Sequence, residues 1–154
     1  MKNLSPLHAE SRVSWLAHTA SACLIDEARL SPKPGLVDRV NNGAHCDMTF
    51  ALFMTSIAAI APWFSAFFNV GRETARLAGP QTLRAIRPTG LACEQAMFNA
   101  TGGVNTHKGG IFSLGLLSFA AGRLRGLGWQ LSADALCNEV SAICRGLVAR
   151  ELAG

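Results

Sequence analysis

Two polar loops hold most of the side chains in this sequence that could bind a ligand or transfer a proton. The first loop spans residues 31–47 and the second loop spans residues 101–110. They contain two of the three lysines and two of the four histidines, in a chain in which only 16% of the residues are charged. We therefore expect any chemistry to be concentrated in these two loops.

The second loop, TGGVNTHKGG, has the composition of an anion-binding turn. Its glycines expose backbone N–H groups, and the predicted helix that follows adds the partial positive charge of its N-terminus. Lys108 contributes a charge, and Asn105 and His107 contribute hydrogen-bond donors beside Gly109. This pattern indicates a polyphosphate site, although its spacing matches neither a P-loop nor a dinucleotide-binding fingerprint. A flexible turn between two helices would have the same composition.

The first loop supplies carboxylates. Asp38 and Asp47 could hold Mg²⁺ opposite a phosphate, or act as a general base on a hydroxyl group. The plainer alternatives are that Asp47 caps a helix and that Asp38 pairs with Arg39 or another neighbour. His45 is open to three interpretations: a ligand, a phosphate donor or a residue satisfied within a turn. Glu94, on a predicted helix, faces either a site or solvent.

Helical periodicity dominates the rest of the chain, and no segment shows the alternation of a β-strand. The pattern predicts an all-α fold of five to six helices, forming one domain over residues 1–154 or the N-terminal part of a larger helical domain. Gly71 is expected to end the second helix. A helical turn is expected to end before Pro88, and Thr89 is expected to cap a new helix. The predicted helices are residues 6–30, 48–69, 90–100, 111–124 and 132–151, while residues 72–78 could form a short helix and residues 81–86 about one helical turn.

The segment from Met48 to Gly71 has no charged residue and is long and apolar enough to span a membrane. A central helix buried on all sides has the same pattern. We favour the buried helix, because polar residues interrupt the run and its flanks lack an asymmetry of Lys and Arg. A membrane partner is accordingly not expected.

Composition narrows the class of protein. An apolar fraction of 49% with few charges excludes intrinsic disorder and a coiled coil. The net charge of +4 comes from scattered arginines, which does not favour nucleic-acid binding. Five cysteines without a C-x-x-C pair predict reduced thiols and a cytoplasmic location, with Cys23, Cys93, Cys137 and Cys144 in the core. So few charges also predict that an oligomer, a membrane or a missing half covers apolar surface.

Long stretches of both loops resemble the triphosphoribosyl-dephospho-CoA synthase family. The resemblance is carried by LSPKPGLVDRVNNGAHCDM, RPTGLACEQAMFNATGG and ATGGVNTHKGGIFSLGLL, and similarity extends from about Trp15 to Leu152. It implies a transferase in which the 2′-hydroxyl of 3′-dephospho-CoA attacks the ribose C1′ of ATP and adenine leaves. The product would be the prosthetic-group precursor for the acyl carrier protein of citrate lyase or malonate decarboxylase.

The resemblance also implies roles for the loop residues. Mg²⁺ would be held by Asp38 and Asp47, and the base would be Glu94 or one of these aspartates. The nucleotide and its phosphates would be bound by Lys33, Gly35, His45, Asn105, His107, Lys108 and Gly109. On this interpretation Lys108→Ala weakens ATP binding by about fivefold or more, the loss of one charge-assisted contact.

Members of the resembled family are close to twice as long as this chain. The sequence is similar to their N-terminal half, so we expect either pairing with a missing C-terminal half or a homo-oligomer. Two alternatives stay open. One is a catalytically incomplete nucleotide-binding module, and the other is a small membrane protein spanning at residues 48–68.

Overall fold

A computed structural model describes residues 6–78 and 80–147, and for residues 6–14 it describes the backbone alone. The described residues form five α-helices and no β-strand, which confirms the predicted all-α class. The helices are α1 (Pro6–Arg29), α2 (Phe50–Glu73), α3 (Pro80–Thr101), α4 (Lys108–Gly126) and α5 (Ala133–Cys144).

The fold is arranged around α2 and α4, which share the largest interface between any two of the described helices. α1 and α3 pack against α2, and α5 packs against α4. The core between these helices holds Ile60, Phe64, Phe67 and Phe119, each at most 2% exposed. Burying a side chain of this size contributes about 1.5–3 kcal/mol, so this layer supplies much of the stability of the bundle.

Gly71 and Gly122 let α2 and α4 approach each other more closely than side chains would allow. A Cβ atom on Gly71 would collide with the carbonyl oxygen of Phe119, and one on Gly122 would collide with the carbonyl oxygen of Phe68. The prediction that Gly71 ends α2 is therefore wrong, because the helix continues to Glu73. This glycine is required by the helix crossing and not by a turn.

α3 runs without a break from Pro80 to Thr101, so the predicted interruption before Pro88 is also wrong. A proline removes one N–H donor from a helix and leaves the carbonyl four residues earlier without its partner. That carbonyl belongs to Arg84, which is exposed like Pro88, so water can satisfy it. One continuous buried stripe joins the two predicted pieces into one helix: Thr82, Ile86, Cys93, Met97 and Thr101.

Other helix ends also differ from their predicted positions. Residues 74–76 form a turn after α2, and the helix predicted over residues 72–78 is not formed. α4 begins at Lys108, earlier than predicted.

The predicted cap Ser132 is confirmed, since its side chain accepts a hydrogen bond from the Ala135 amide, but α5 ends at Cys144. The predicted continuation over residues 148–151 lies outside the described residues.

α2 is long and apolar enough to cross a membrane, judged by length and composition. It is the central helix, as predicted, since it packs against α1, α3 and α4. The expectation that it is buried on all sides is wrong: only 28% of its most apolar stretch is buried. The exposed stripe consists of Ala51, Thr55, Ala58 and Pro62, whose small side chains place little apolar surface in solvent.

The cysteines divide between core and surface. Cys93 is buried and Cys144 is partly buried, but Cys23 and Cys137 are exposed, so their predicted place in the core is wrong. The buried face of α1 repeats every four residues from Ala20, and Cys23 falls outside it.

Large apolar side chains are exposed as well, which agrees with the shortage of charged residues in the sequence. Exposed apolar residues indicate a contact surface only where they form a contiguous patch. The oligomer predicted from the sequence stays a prediction. The exposed large apolar residues are Trp15, Leu30, Leu36, Val40, Leu91, Phe112, Leu127 and Trp129.

Gly122→Ala should destabilise the fold, because the new Cβ would press on the Phe68 carbonyl at the α2–α4 crossing. Overpacking of this kind lowers the free energy of unfolding by about 1–3 kcal/mol. Gly90→Ala is the matched control, since no atom lies within 4 Å of a Cβ there and alanine is favoured over glycine in a helix. Urea unfolding measures both variants, and equal stabilities would contradict the close crossing.

Candidate functional site

A cavity of about 490 Å³ opens where α1, the first loop, α2 and the start of α4 meet. Its wall combines polar groups from both loops with apolar side chains from the helices. Of the site residues predicted from the sequence, Lys33, His45, His107 and Gly109 line this cavity. The other lining residues are Cys23, Leu24, Glu27, Leu36, Val37, Phe53, Thr106, Gly110, Ser113 and Leu114.

His107 places a buried imidazole in the cavity wall. The residue is 6% exposed, and its ring centroid lies 4.7 Å from that of Phe53. Its Nδ1 lies 2.9 Å from Ser56 Oγ, whereas Nε2 is buried and has no hydrogen-bond partner among the described residues. Desolvation lowers the pKa of the imidazole below its ordinary value of 6.5, so His107 is neutral at physiological pH.

The start of α4 presents two unused backbone donors next to His107. The Lys108 amide donates to Asn105 Oδ1 at 3.2 Å, so the Asn105 side chain stabilises the turn and does not line the cavity. The amides of Gly109 and Gly110 belong to the first helical turn and have no acceptor in the described part of the chain. Because both glycines line the cavity, these N–H groups and the helix dipole favour an anion there.

Lys33 supplies the positive charge of the cavity, and Glu27 balances it. Lys33 Nζ lies 3.0 Å from Glu27 Oε1 and donates to the Glu27 carbonyl oxygen at 3.1 Å. The lysine side chain is 11% exposed and that of the glutamate 54%. Glu27 is not among the predicted site residues, because a glutamate near a helix end is usually a solvated group. Its position just before the first loop is the signal that could have identified it.

Asp38 organises the first loop. One carboxylate oxygen accepts hydrogen bonds from the Ser31 hydroxyl and the Lys33 amide, at 2.9 and 3.1 Å. The other oxygen accepts from the Val40 and Asn41 amides, at 2.7 and 2.9 Å. The backbone hydrogen bonds from Asn41 and Val40 lower the pKa of this carboxyl to about 2. Asp38 is therefore a buried anion whose partners are the amides of its own loop.

The magnesium ligands predicted from the sequence do not assemble into one site. A carboxylate offers about four lone-pair directions, and the four hydrogen bonds to Asp38 use them. Asp47 is exposed, and within residues 6–78 and 80–147 no group of three or more His, Cys, Asp or Glu side chains could hold a metal ion. The residues present therefore do not fit a Mg²⁺ site built on both aspartates.

His45 and Asp47 form a loose pair at the end of the first loop. His45 Nδ1 lies 4.0 Å from Asp47 Oδ1, and both side chains are accessible to solvent, so their attraction is weak. The residue that caps α2 is Thr49, whose side chain accepts from the Leu52 amide at 3.1 Å. The interpretation of Asp47 as the helix cap is therefore wrong.

Gly35 shapes the first loop and does not line the cavity. Gly35 and Gly43 have positive φ values of 77° and 60°. A Cβ on Gly43 would collide with the Gly35 backbone, and the Ala44 amide donates to the Gly35 carbonyl at 3.2 Å. Glycine is therefore needed where the two ends of the loop meet.

Glu94 and Lys108 form an ion pair outside the main cavity. Lys108 Nζ lies 3.3 Å from Glu94 Oε2, and the lysine side chain is 56% exposed. Glu94 lines a second cavity, of about 270 Å³, between α3 and α4. The structure therefore does not bring Glu94 to the cavity that contains Lys33 and His107.

Asp38→Asn should loosen the first loop, because an amide offers one acceptor oxygen where the carboxylate offers two. We expect faster amide hydrogen exchange over residues 31–45 and a lower free energy of unfolding. The folded-state pKa is lowered from 3.8 to about 2, so the stabilisation by Asp38 is complete above the unfolded value and is lost as the pH falls towards 2. Asp47→Asn is the exposed control, and equal exchange in the two variants would contradict this role.

Comparison with known proteins agrees with the motifs of the two loops. A family model described as ATP:dephospho-CoA triphosphoribosyl transferase matches residues 13–153. A 2-(5''-triphosphoribosyl)-3'-dephosphocoenzyme-A synthase from Klebsiella pneumoniae is 49% identical over 152 residues, which are 99% of this chain and 49% of that protein. A probable synthase of the same name from Albidiferax ferrireducens is 56% identical over 137 residues, 89% of this chain and 45% of that protein.

The chain spans about half the length of the curated relatives it matches. No solved structure matches it. The matches confirm the resemblance carried by the two loops: the chain belongs to the ATP:dephospho-CoA triphosphoribosyl transferase family.

Proposed function

We propose that this chain binds ATP in the cavity between its two loops and takes part in transferring the triphosphoribosyl group to 3′-dephospho-CoA. The observation that carries the proposal is one cavity that is lined by Lys33, by the buried residue His107, and by Gly109 and Gly110 with their free amides. A cation, a neutral donor and a helix N-terminus around one space are groups that suit a polyphosphate. The description of the family and the names of the relatives supply the two substrates.

In the proposed reaction the triphosphate is held but does not react. The 2′-hydroxyl of 3′-dephospho-CoA attacks C1′ of the ATP ribose, and the bond from C1′ to adenine breaks. Adenine leaves with the electron pair of that bond, and the hydroxyl proton passes to a base. A firmly held triphosphate aligns C1′ with the hydroxyl, and such alignment can supply a large part of the rate. The product would be the prosthetic-group precursor of the citrate lyase or malonate decarboxylase carrier protein.

Lys33 is better placed than Lys108 to bind the phosphates. Its side chain is 11% exposed and lines the cavity, so solvent screens its charge only weakly. Lys108 is 56% exposed and is paired with Glu94. We expect Lys33 to make the main contact with the triphosphate and Lys108 to add a weaker attraction from the edge of the site.

The same contact would release Glu27. Lys33 is the ion-pair partner of Glu27 in the structure, and a triphosphate bound to Lys33 would replace it. A carboxylate that is half exposed and lines the cavity can then accept the proton of an entering hydroxyl. Glu27 is therefore our candidate for the base, in place of Glu94, which lines the other cavity.

Magnesium stays a prediction, in which the substrate phosphates would supply most of the ligands and the protein few. Mg²⁺ is commonly bound by one or two carboxylates together with substrate phosphates. Asp47 is the exposed aspartate of the predicted pair, so it is the one free to take part. Asp38 has no free lone pair in the loop that it organises.

The apolar side of the cavity suits the nucleobase. Phe53, Leu36 and Leu114 are among its lining residues. Nucleotide sites usually combine such apolar contact with a few polar groups that set orientation. Adenine must be held until the bond to C1′ breaks, and this surface would hold it without a charge.

A second candidate function is a nucleotide-binding module that needs further polypeptide for catalysis. It is favoured by the second cavity, where Leu91 and Phe112 are 61% and 57% exposed. The relatives are about twice the length of this chain, so they contain further polypeptide that could cover such a surface. Release of adenine by this chain with only ATP, Mg²⁺ and 3′-dephospho-CoA present would exclude the module.

Lys33→Met should weaken ATP binding about tenfold or more, because it removes a partly buried charge-assisted hydrogen bond. Lys108→Met, at the start of α4, is the matched control for an exposed lysine, and its loss of affinity should be smaller. Isothermal titration calorimetry with ATP and Mg²⁺ measures both. A larger loss for Lys108 would place the phosphates on the α3 side of α4.

Glu27→Gln should leave ATP affinity unchanged or raised, since it removes a negative charge beside the phosphates. Adenine release should fall about 10²–10⁴-fold, the usual contribution of a general base. Glu94→Gln, the control at the second cavity, should release adenine at nearly the normal rate. Chromatographic detection of adenine compares them, and an unimpaired Glu27→Gln protein would remove Glu27 from the reaction.

A further inference from the structure

Two hydroxyl groups form a hydrogen-bonded chain that ends at Nδ1 of His107. Thr106 Oγ1 lies 2.7 Å from Ser56 Oγ, and Ser56 Oγ lies 2.9 Å from His107 Nδ1. Ser56 comes from α2 and is 0% exposed. The other ring nitrogen, Nε2, is the buried side-chain atom without a partner in the described part of the molecule. His107 lines the cavity, so one residue of the cavity wall carries a buried polar atom that the protein leaves unsatisfied.

Counting protons decides which tautomer this arrangement favours. If Thr106 donates to Ser56 and Ser56 donates to Nδ1, both hydroxyl protons have acceptors and the ring proton is on Nε2. If Nδ1 carries the proton instead, it donates to Ser56, and one of the two hydroxyl protons, that of Ser56 or that of Thr106, is left without an acceptor among the described residues. The Nε2 lone pair would also have no donor there. The first arrangement leaves one group unsatisfied and the second leaves two.

We propose that Ser56 and Thr106 are positioning residues that hold His107 as its Nε2–H tautomer, so that this buried N–H donates to an oxygen of the ligand in the cavity. Leaving such a donor unpaired is costly, and a ligand oxygen that accepts from it removes that cost. The identity of the ligand, a polyphosphate, rests on the proposed function. The tautomer itself rests only on contacts within the protein.

The role assigned to His107 follows from the tautomer. A neutral imidazole with its proton on Nε2 offers a donor to the ligand and keeps its lone pair on the Ser56 side. His107 then orients a phosphate or hydroxyl oxygen and does not take the proton of the attacking hydroxyl. This leaves proton acceptance to a carboxylate in the same cavity, such as Glu27.

Long-range ¹H–¹⁵N correlation spectra of the imidazole groups, recorded without ligand, test the tautomer directly. We expect His107 to show one Nε2–H form, whereas the exposed His18 should show an exchanging mixture. Ser56→Ala removes the donor to Nδ1 with little change of volume, and it should move the His107 signals towards a mixture. Thr55→Ala is the control, since Thr55 is exposed and its hydroxyl bonds to the Ala51 carbonyl of its own helix.

Thr106 gives an independent pair of variants in case Ser56→Ala does not fold. Thr106→Val should shift the His107 signals in the same direction, and Thr106→Ser, which keeps the hydroxyl, should restore them. An Nδ1–H form in the unmodified protein would overturn the proposal. So would a Ser56→Ala or Thr106→Val protein that is folded and has an unchanged His107 tautomer.

Titration with inorganic triphosphate tests the donor role. Binding should shift the Nε2–H proton and slow its exchange with water, and bound triphosphate without either change would overturn the proposal. Calorimetry that detects no binding of triphosphate or ATP would contradict the proposed function. The Ser56 and Thr106 spectra would still decide the tautomer, so the two failures are distinguishable.

Discussion

The backbone contact between α2 and α4 is the constraint on which the site depends. At Gly71 and Gly122 the two helices meet with no side chain between them, so neither can shift along the other without a collision. This contact fixes the start of α4 relative to α2. Ser56 and Phe53, on α2, consequently lie against His107 at the start of α4. The positions of the site atoms are thus set by the packing of α2 against α4 and not by the loops alone.

The first loop is fixed to this frame by a second constraint, the buried carboxylate of Asp38. Its four hydrogen bonds tie Ser31 and the Lys33 amide to the amides of Val40 and Asn41, so the start of the loop is held against its middle. The Lys33 residue is then held at both ends, by Asp38 at its amide and by the Glu27 carbonyl at Nζ. A lysine restrained in this way loses less side-chain entropy when a ligand binds.

The sequence predicts the elements whose signal is local. Helical periodicity identifies the all-α class, and loop composition identifies Lys33, His45, His107 and Gly109 as residues that share one cavity. Gly71 and Pro88 are wrongly predicted to interrupt helices. α2 tolerates Gly71 because this glycine allows the close crossing with α4, and α3 tolerates Pro88 because the carbonyl left without a partner is exposed to water. Residues that reach the site from a helix, above all Glu27, carry only a weak local signal, their nearness to the loop in the sequence, because the packing of α1 beside the first loop is what places them there.

The role of a loop carboxylate cannot be predicted from the sequence, and the reason is physical. An aspartate in a polar loop can bind a metal or the amides of its own loop, and the same residue type in the same pattern serves both uses. The structure separates the two for Asp38, whose charge is neutralised by local donors. This arrangement has a consequence for the cavity. A free carboxylate facing the start of α4 would compete with a phosphate for the amides of Gly109 and Gly110 and would repel it. With Asp38 satisfied in its loop and Glu94 paired with Lys108, Glu27 is the carboxylate that lines this cavity in the described part of the chain. Its half-exposed position lets it yield Lys33 to an entering anion at little cost, because water can solvate it.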